Sequence, residues 1–205
     1  LGKVHNDYGL GFYCTESLDL AREWACSRDA DGFVNRYELD IADLKILDLP
    51  SPQYCVLHWI ALLVEYRSFR KDTAIAAGAC EYLHDHFLPD TSACDVIRGW
   101  RADDSYFSYA RAFVNNTITV EQLGRAMKLG NLGEQIVLKS ERAFKSIRFD
   151  GFERAPLAQY GPLAKERDEA ARAQYRELLT ENPFEGIRIV DIVREWMTAD
   201  ELRLQ

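Results

Sequence analysis

A chain of 205 residues, 47% hydrophobic and 28% charged, carries enough apolar surface for one domain with a full core, or for one domain and an appendage. Its formal charge of −8 argues against a large nucleic-acid footprint, and its longest apolar run, residues 56–64, is far too short to span a membrane. Cys14, Cys26, Cys55, Cys80 and Cys94 form an odd set without a CxxC and read as free buried thiols of a reducing cytoplasm; no signal peptide is visible, and the chain begins at Leu1 rather than Met.

In chain order, Gly9 and Gly11 bend the backbone into a short buried strand, Phe12 to Thr15, and Thr15 or Ser17 caps a helix over 18–26 with Leu18, Ala21, Trp24 and Ala25 on helical spacing. Residues 33–39 alternate as a strand, with Phe33, Asn35, Tyr37 and Leu39 on one face. A second strand, 44–49, ends at Pro50 and Pro52. Apolar spacing predicts helices over 54–69 and 73–87, then a buried strand over 94–100. Helices over 106–114 and 121–129 follow, and a turn at Gly130-Asn131-Leu132-Gly133 leads into a strand over 134–140. Residues 143–149 read as a further strand, ended by Asp150-Gly151. Beyond Phe152 the character changes. A charged helix over 163–179 stops at Asn182-Pro183, and an amphipathic one covers 187–197. Mixed strands and helices in this order predict an α+β domain over 1–152 with a C-terminal helical extension over 153–205.

Three constellations can carry chemistry. Glu134 stands at the mouth of the apolar strand Ile136-Val137-Leu138, where a carboxylate can polarise a sugar hydroxyl; a solvated strand end is the plain alternative. Arg98, Arg101, Asp103 and Asp104 lie together and fit a phosphate or metal contact, or an ordinary helix start with an ion pair. Cys80 and His84 share a helix face, with His86 nearby, but no second ligand cluster accompanies them and no metal is expected. There is no P-loop, GxSxG or HExxH.

The segment Tyr8-Gly9-Leu10-Gly11-Phe12-Tyr13-Cys14-Thr15, followed by Ala21 and Trp24, resembles the second motif of ADP-ribosyltransferases. In their poly(ADP-ribose) polymerase and diphtheria-toxin branch, a Gly-x-Gly-x-Tyr strand precedes a helix whose aromatic residue stands eleven positions after the Tyr, the separation of Tyr13 and Trp24. Gly133-Glu134-Gln135-Ile136-Val137 resembles the third motif, in which a catalytic Glu opens a strand. The chain is most similar to a bacterial family, labelled a domain of unknown function, that is placed with the ADP-ribosyltransferases and often sits in toxin–antitoxin loci. That likeness runs through Trp24-Ala25, Val34-Asn35-Arg36-Tyr37, Arg101-Ala102-Asp103-Asp104-Ser105-Tyr106-Phe107 and Leu132 to Leu138, and covers roughly residues 7–175.

The resemblance implies a split, strongly bent sheet with helices around it and a cleft between the halves. It implies NAD as co-substrate. Tyr13 and Trp24 would take the two faces of the nicotinamide ring beside Gly11 and Phe12, and Glu134 would stabilise the positive charge that develops on the ribose as nicotinamide leaves. Arg98, Arg101, Asp103 and Asp104 rank second, as phosphate or target contacts. The family's first motif, a Tyr-His-Gly strand, does not stand in this chain, and its strand is expected upstream. Leu132 occupies the position where arginine-directed enzymes carry Glu or Gln, so the expected acceptor is a macromolecule, protein or nucleic acid, but not an arginine side chain. The expected role is a cytoplasmic bacterial toxin, with an antitoxin as a partner. The alternatives are a transferase fold that binds without chemistry, and an NAD glycohydrolase.

Overall fold

The computed structural model describes residues 4–26, 30–102, 104–129, 133–181 and 185–203. In chain order the elements are β1 (Phe12–Cys14), α1 (Leu18–Ala25), β2 (Gly32–Leu39), β3 (Ile46–Asp48), α2 (Val56–Tyr66), α3 (Ala74–Phe87), β4 (Val96–Trp100), α4 (Asp104–Val114), α5 (Val120–Ala126), β5 (Glu134–Leu138), α6 (Glu141–Lys145), β6 (Ile147–Ala155), α7 (Leu157–Thr180), α8 (Ile189–Glu195) and α9 (Ala199–Arg203). The architecture is α+β. Four strands form one sheet in the order β1-β5-β4-β3, and β2 pairs with β6 in a separate antiparallel ribbon. Within the larger sheet β5 runs antiparallel to both β1 and β4, while β3 lies parallel to β4. The helical pair α2–α3 makes the crossover that a parallel pair requires.

Strand alternation sorts the side chains of the larger sheet. Tyr13, Ile97 and Val137 face the main core, built on Leu57, Trp59, Ile60, Leu63, Phe113 and their neighbours. Helix α2 is apolar nearly all round because it is buried nearly all round. Phe12, Cys14, Ile136, Val96 and Leu138 face the other way, into a smaller cluster that includes Leu39 and Ile147 of the ribbon. The ribbon thus meets the sheet at one end, where Phe12 and Tyr37 pack edge to face at 5.4 Å. Towards its other end, Phe33 and Phe152 are exposed.

Three sequence expectations change here. Residues 143–149 do not begin as a strand. The Ser140 hydroxyl accepts the Ala143 N–H and caps the short helix α6 before β6 starts at Ile147. Asp150-Gly151 does not end the strand either. Gly151 has φ of 134°, and the register shifts opposite Arg36/Tyr37, so the extra residue is absorbed as a bulge and β6 runs on to Ala155. The long helix starts at Leu157 rather than 163, its first N–H bonded to the Asp31 carboxylate at 2.8 Å. It packs on α1, α4 and α5. The turn at 130–132 and the helix stop at Asn182-Pro183 lie outside the described residues.

Candidate functional site

Glu134 is the first residue of β5, directly across from Trp100 at the end of β4. Arg98, two residues earlier on β4, leaves the same face and brings its Nη2 to 2.6 Å from Glu134 Oε2. Two further carboxylates surround that guanidinium: Glu16 Oε2 at 3.8 Å and Asp48 Oδ1 at 3.7 Å. These distances act through space rather than as hydrogen bonds. Buried Arg98 Nε and Asp48 Oδ1 make no hydrogen bond. The Thr15 hydroxyl donates to the Glu134 carbonyl at 3.2 Å and ties the strand mouth to the start of α1. Gly133 has φ of 66°, and a Cβ there would meet Leu20 Cδ1 at 2.7 Å, so Leu20 of α1 lies against the residue before Glu134. Farther along α1, Trp24 carries the Arg101 guanidinium 4.3 Å from its ring centroid. Arg98, Arg101, Trp24 and Glu134 therefore gather around one end of the sheet.

Tyr13 does not join them. It pairs with Val137, and alternation puts side chains 13 and 134 on opposite faces of the sheet. Its hydroxyl donates to the Gly9 carbonyl at 2.7 Å and accepts the Tyr8 N–H at 3.1 Å, closing the turn in which Gly9 takes φ of 71°. Burial drives that phenol far above its ordinary range, so it stays protonated. Gly11 lets β1 approach β5: a Cβ there would meet Val137 Cγ1 at 2.5 Å and the Leu138 carbonyl at 2.9 Å. Gly11, Phe12 and Tyr13 border a cavity of about 680 Å³ at the edge of β1. The predicted residues thus divide into two groups. Asp104 opens α4, and Asp103 and Leu132 lie outside the described residues.

The family model described as "Protein of unknown function (DUF3990)" matches residues 1–149. The chain belongs to that family. No curated protein and no solved structure matches it.

Within the span of the DUF3990 match, sequence reasoning missed the group that fixes the strand mouth. Asp7 is buried, with Oδ1 2.5 Å from Arg67 Nη1, and Oδ2 accepting from the Ala102 N–H at 2.9 Å and from Gln135 Nε2 at 3.0 Å. Gln135 also donates to the Trp100 carbonyl at 3.3 Å. This carboxylate joins the glycine turn, the end of α2, the end of β4 and the start of β5, and so holds Gln135 inward and Glu134 outward. Asp7 precedes the glycine motif directly, but nothing in local spacing names Arg67 as its partner. Lys139, just past β5 and bordering the β1 cavity, was also missed.

Proposed function

We propose that this chain is an NAD-dependent ADP-ribosyltransferase whose reacting carboxylate is Glu134. The observation that carries the reading is a partly exposed Glu at the open mouth of β5, held by an arginine at 2.6 Å, with an arginine-stacked Trp24 on the adjoining helix. Breaking the bond between nicotinamide and ribose builds positive charge on the ribose, and a fixed, ionised carboxylate stabilises that charge where it forms. Arg98 leaves Glu134 Oε1 to face a ribose hydroxyl while it holds Oε2. The resemblance of the glycine–aromatic strand and of the Glu-Gln-Ile-Val strand, in that order along the chain, supports NAD as the co-substrate. Transfer to a macromolecule other than an arginine side chain rests on Leu132, and a toxin role with an antitoxin partner rests on the resemblance.

One observation favours the alternative of a transferase fold that binds without turnover: Tyr13 and Glu134 leave opposite faces of the sheet. Incubation of the protein and its Glu134→Gln variant with adenylate-labelled NAD and a cell lysate decides between the two. Nicotinamide release that disappears in the variant is the expected result. Label retained on protein or on nucleic acid names the acceptor class, and free ADP-ribose alone marks a glycohydrolase. Absence of release from the unaltered protein overturns the enzymatic reading.

A further inference from the structure

Four partly buried cations in this fold sit on carboxylates: Arg22 on Glu153, Arg67 on Asp7, Arg98 on Glu134 and Arg167 on Glu23. Lys139 departs from that pattern. Its Nζ donates to the Tyr8 carbonyl at 2.5 Å and stands 5.2 Å from the Tyr66 ring centroid, and it makes no ion pair among the described residues. An ammonium has three protons to give, and this one has spent one. Desolvation holds its pKa below the usual lysine range, the mark of a charge kept away from water without a counter-charge.

Lys139 borders the cavity at the outer edge of β1, together with Asn6 and the apolar residues Leu10, Phe12 and Phe144. The Phe12 and Phe144 rings lie 6.0 Å apart, and Phe144 is 45% exposed, so an aromatic surface stands open to a ligand. A volume of about 680 Å³ suits a ligand of nucleotide size. The other cations near the motifs are engaged: Arg98 among three carboxylates, Arg101 on Trp24.

We infer that this cavity is a nucleotide subsite, in which a purine ring lies against Phe12 and Phe144 and a phosphate oxygen accepts from Lys139 Nζ. Unpaired ammonium and phosphate are complementary, and a flat base can use the aromatic wall without base-specific contacts. The subsite stands apart from Glu134 and does not depend on the transferase reading. The adenylate group it takes occurs both in NAD and in free nucleotides.

Isothermal titration of the intact protein with AMP, adenosine and NAD tests this. AMP is expected to bind more tightly than adenosine, with an affinity that falls as salt rises. Lys139→Met weakens AMP by about 10- to 100-fold, the loss of one charge-assisted hydrogen bond, and leaves adenosine unchanged. Lys139→Arg restores part of the loss, and Phe144→Ala weakens AMP and adenosine alike. NAD binding more tightly than AMP, with the same loss in Lys139→Met, assigns the adenylate to the dinucleotide; tighter binding of AMP assigns it to a free nucleotide. Should Lys139→Met fail to fold, the salt-dependent gap between AMP and adenosine on the unaltered protein carries the test. Equal affinity for AMP and adenosine, no binding of AMP, or an unchanged AMP affinity in folded Lys139→Met overturns the subsite. AMP binding through Lys139 without nicotinamide release overturns the transferase reading alone.

Discussion

Replacing Asp7 with Ala removes the carboxylate on which four segments converge. Arg67 Nη1 lies 2.5 Å from it and is left with the Ala102 carbonyl at 3.3 Å and the Phe107 ring, 4.4 Å from the guanidinium carbon. The Ala102 N–H loses its acceptor, and Gln135 Nε2 is left with the Trp100 carbonyl. The Asp7 side chain is 9% exposed and that of Arg67 22%, so water reaches the orphaned guanidinium only in part. Breaking a buried pair from one side costs about 3–5 kcal/mol, and the partial access of Arg67 places this case near 3 kcal/mol. For a chain of this length that is a fall in Tm of about 6–12 °C. Urea unfolding and thermal melting measure it directly. In the Asp7→Ala/Arg67→Met double variant no charge remains to be orphaned, and stability is expected to recover in part. A Tm within about 2 °C of the unaltered protein in the single variant would show that Asp7 is not the lock of the strand mouth.

Arg98→Met frees Glu134 from its partner and leaves it facing Glu16 and Asp48. Nicotinamide release is expected to fall on the order of 100-fold in kcat with KM for NAD little changed, the signature of lost orientation. A rise in KM at constant kcat would instead assign Arg98 to the phosphates. Asp95 gives a pH-dependent prediction. The Ser140 hydroxyl, 2.6 Å from Oδ1, and the Lys45 N–H, 2.9 Å from Oδ2, hold its carboxyl below the usual carboxylate range. Its contribution is therefore complete above the unfolded value of about 3.9 and is lost as pH falls through the lower folded value. Asp95→Asn should flatten the slope of unfolding free energy against pH below about pH 4, and an unchanged slope there would refute the assignment.

Local pattern carried much of this fold. The glycine bend, the cap at Ser17 and the apolar spacing of α2 and α3 are properties of neighbouring residues, and they fold as their spacing dictates. The face shared by Phe33, Asn35, Tyr37 and Leu39 is likewise a matter of alternation within one strand. Pairing between distant strands was not legible. That β2 lies against β6 rather than in the larger sheet depends on partners such as Phe33↔Arg154. The bulge at Gly151 depended on the same pairing, because a glycine that ends a strand and one that bends it look alike until the opposite strand is known. At the site, residue types pointed to Glu134 and Trp24, but the count of residues along β1 and β5 decided which face Tyr13 took. Asp7 and Lys139 were invisible because burial and the absence of a counter-charge are properties of the folded surroundings.

The strand pairs also order events in time. Tyr13 lies against Val137, and Gly32 against Ala155. At synthesis rates of about 5–20 residues per second, β1 waits roughly 6–25 s for its partner, and β2 about as long. Throughout that interval the glycine–aromatic strand has no neighbour, and Glu134 has not been made. The helices α2 and α3 assemble from local contacts meanwhile, so the chain acquires a core well before it acquires a site. A chain stopped short of β5 lacks the strand that pairs with both β1 and β4, and with it the Val137 side chain of the main core.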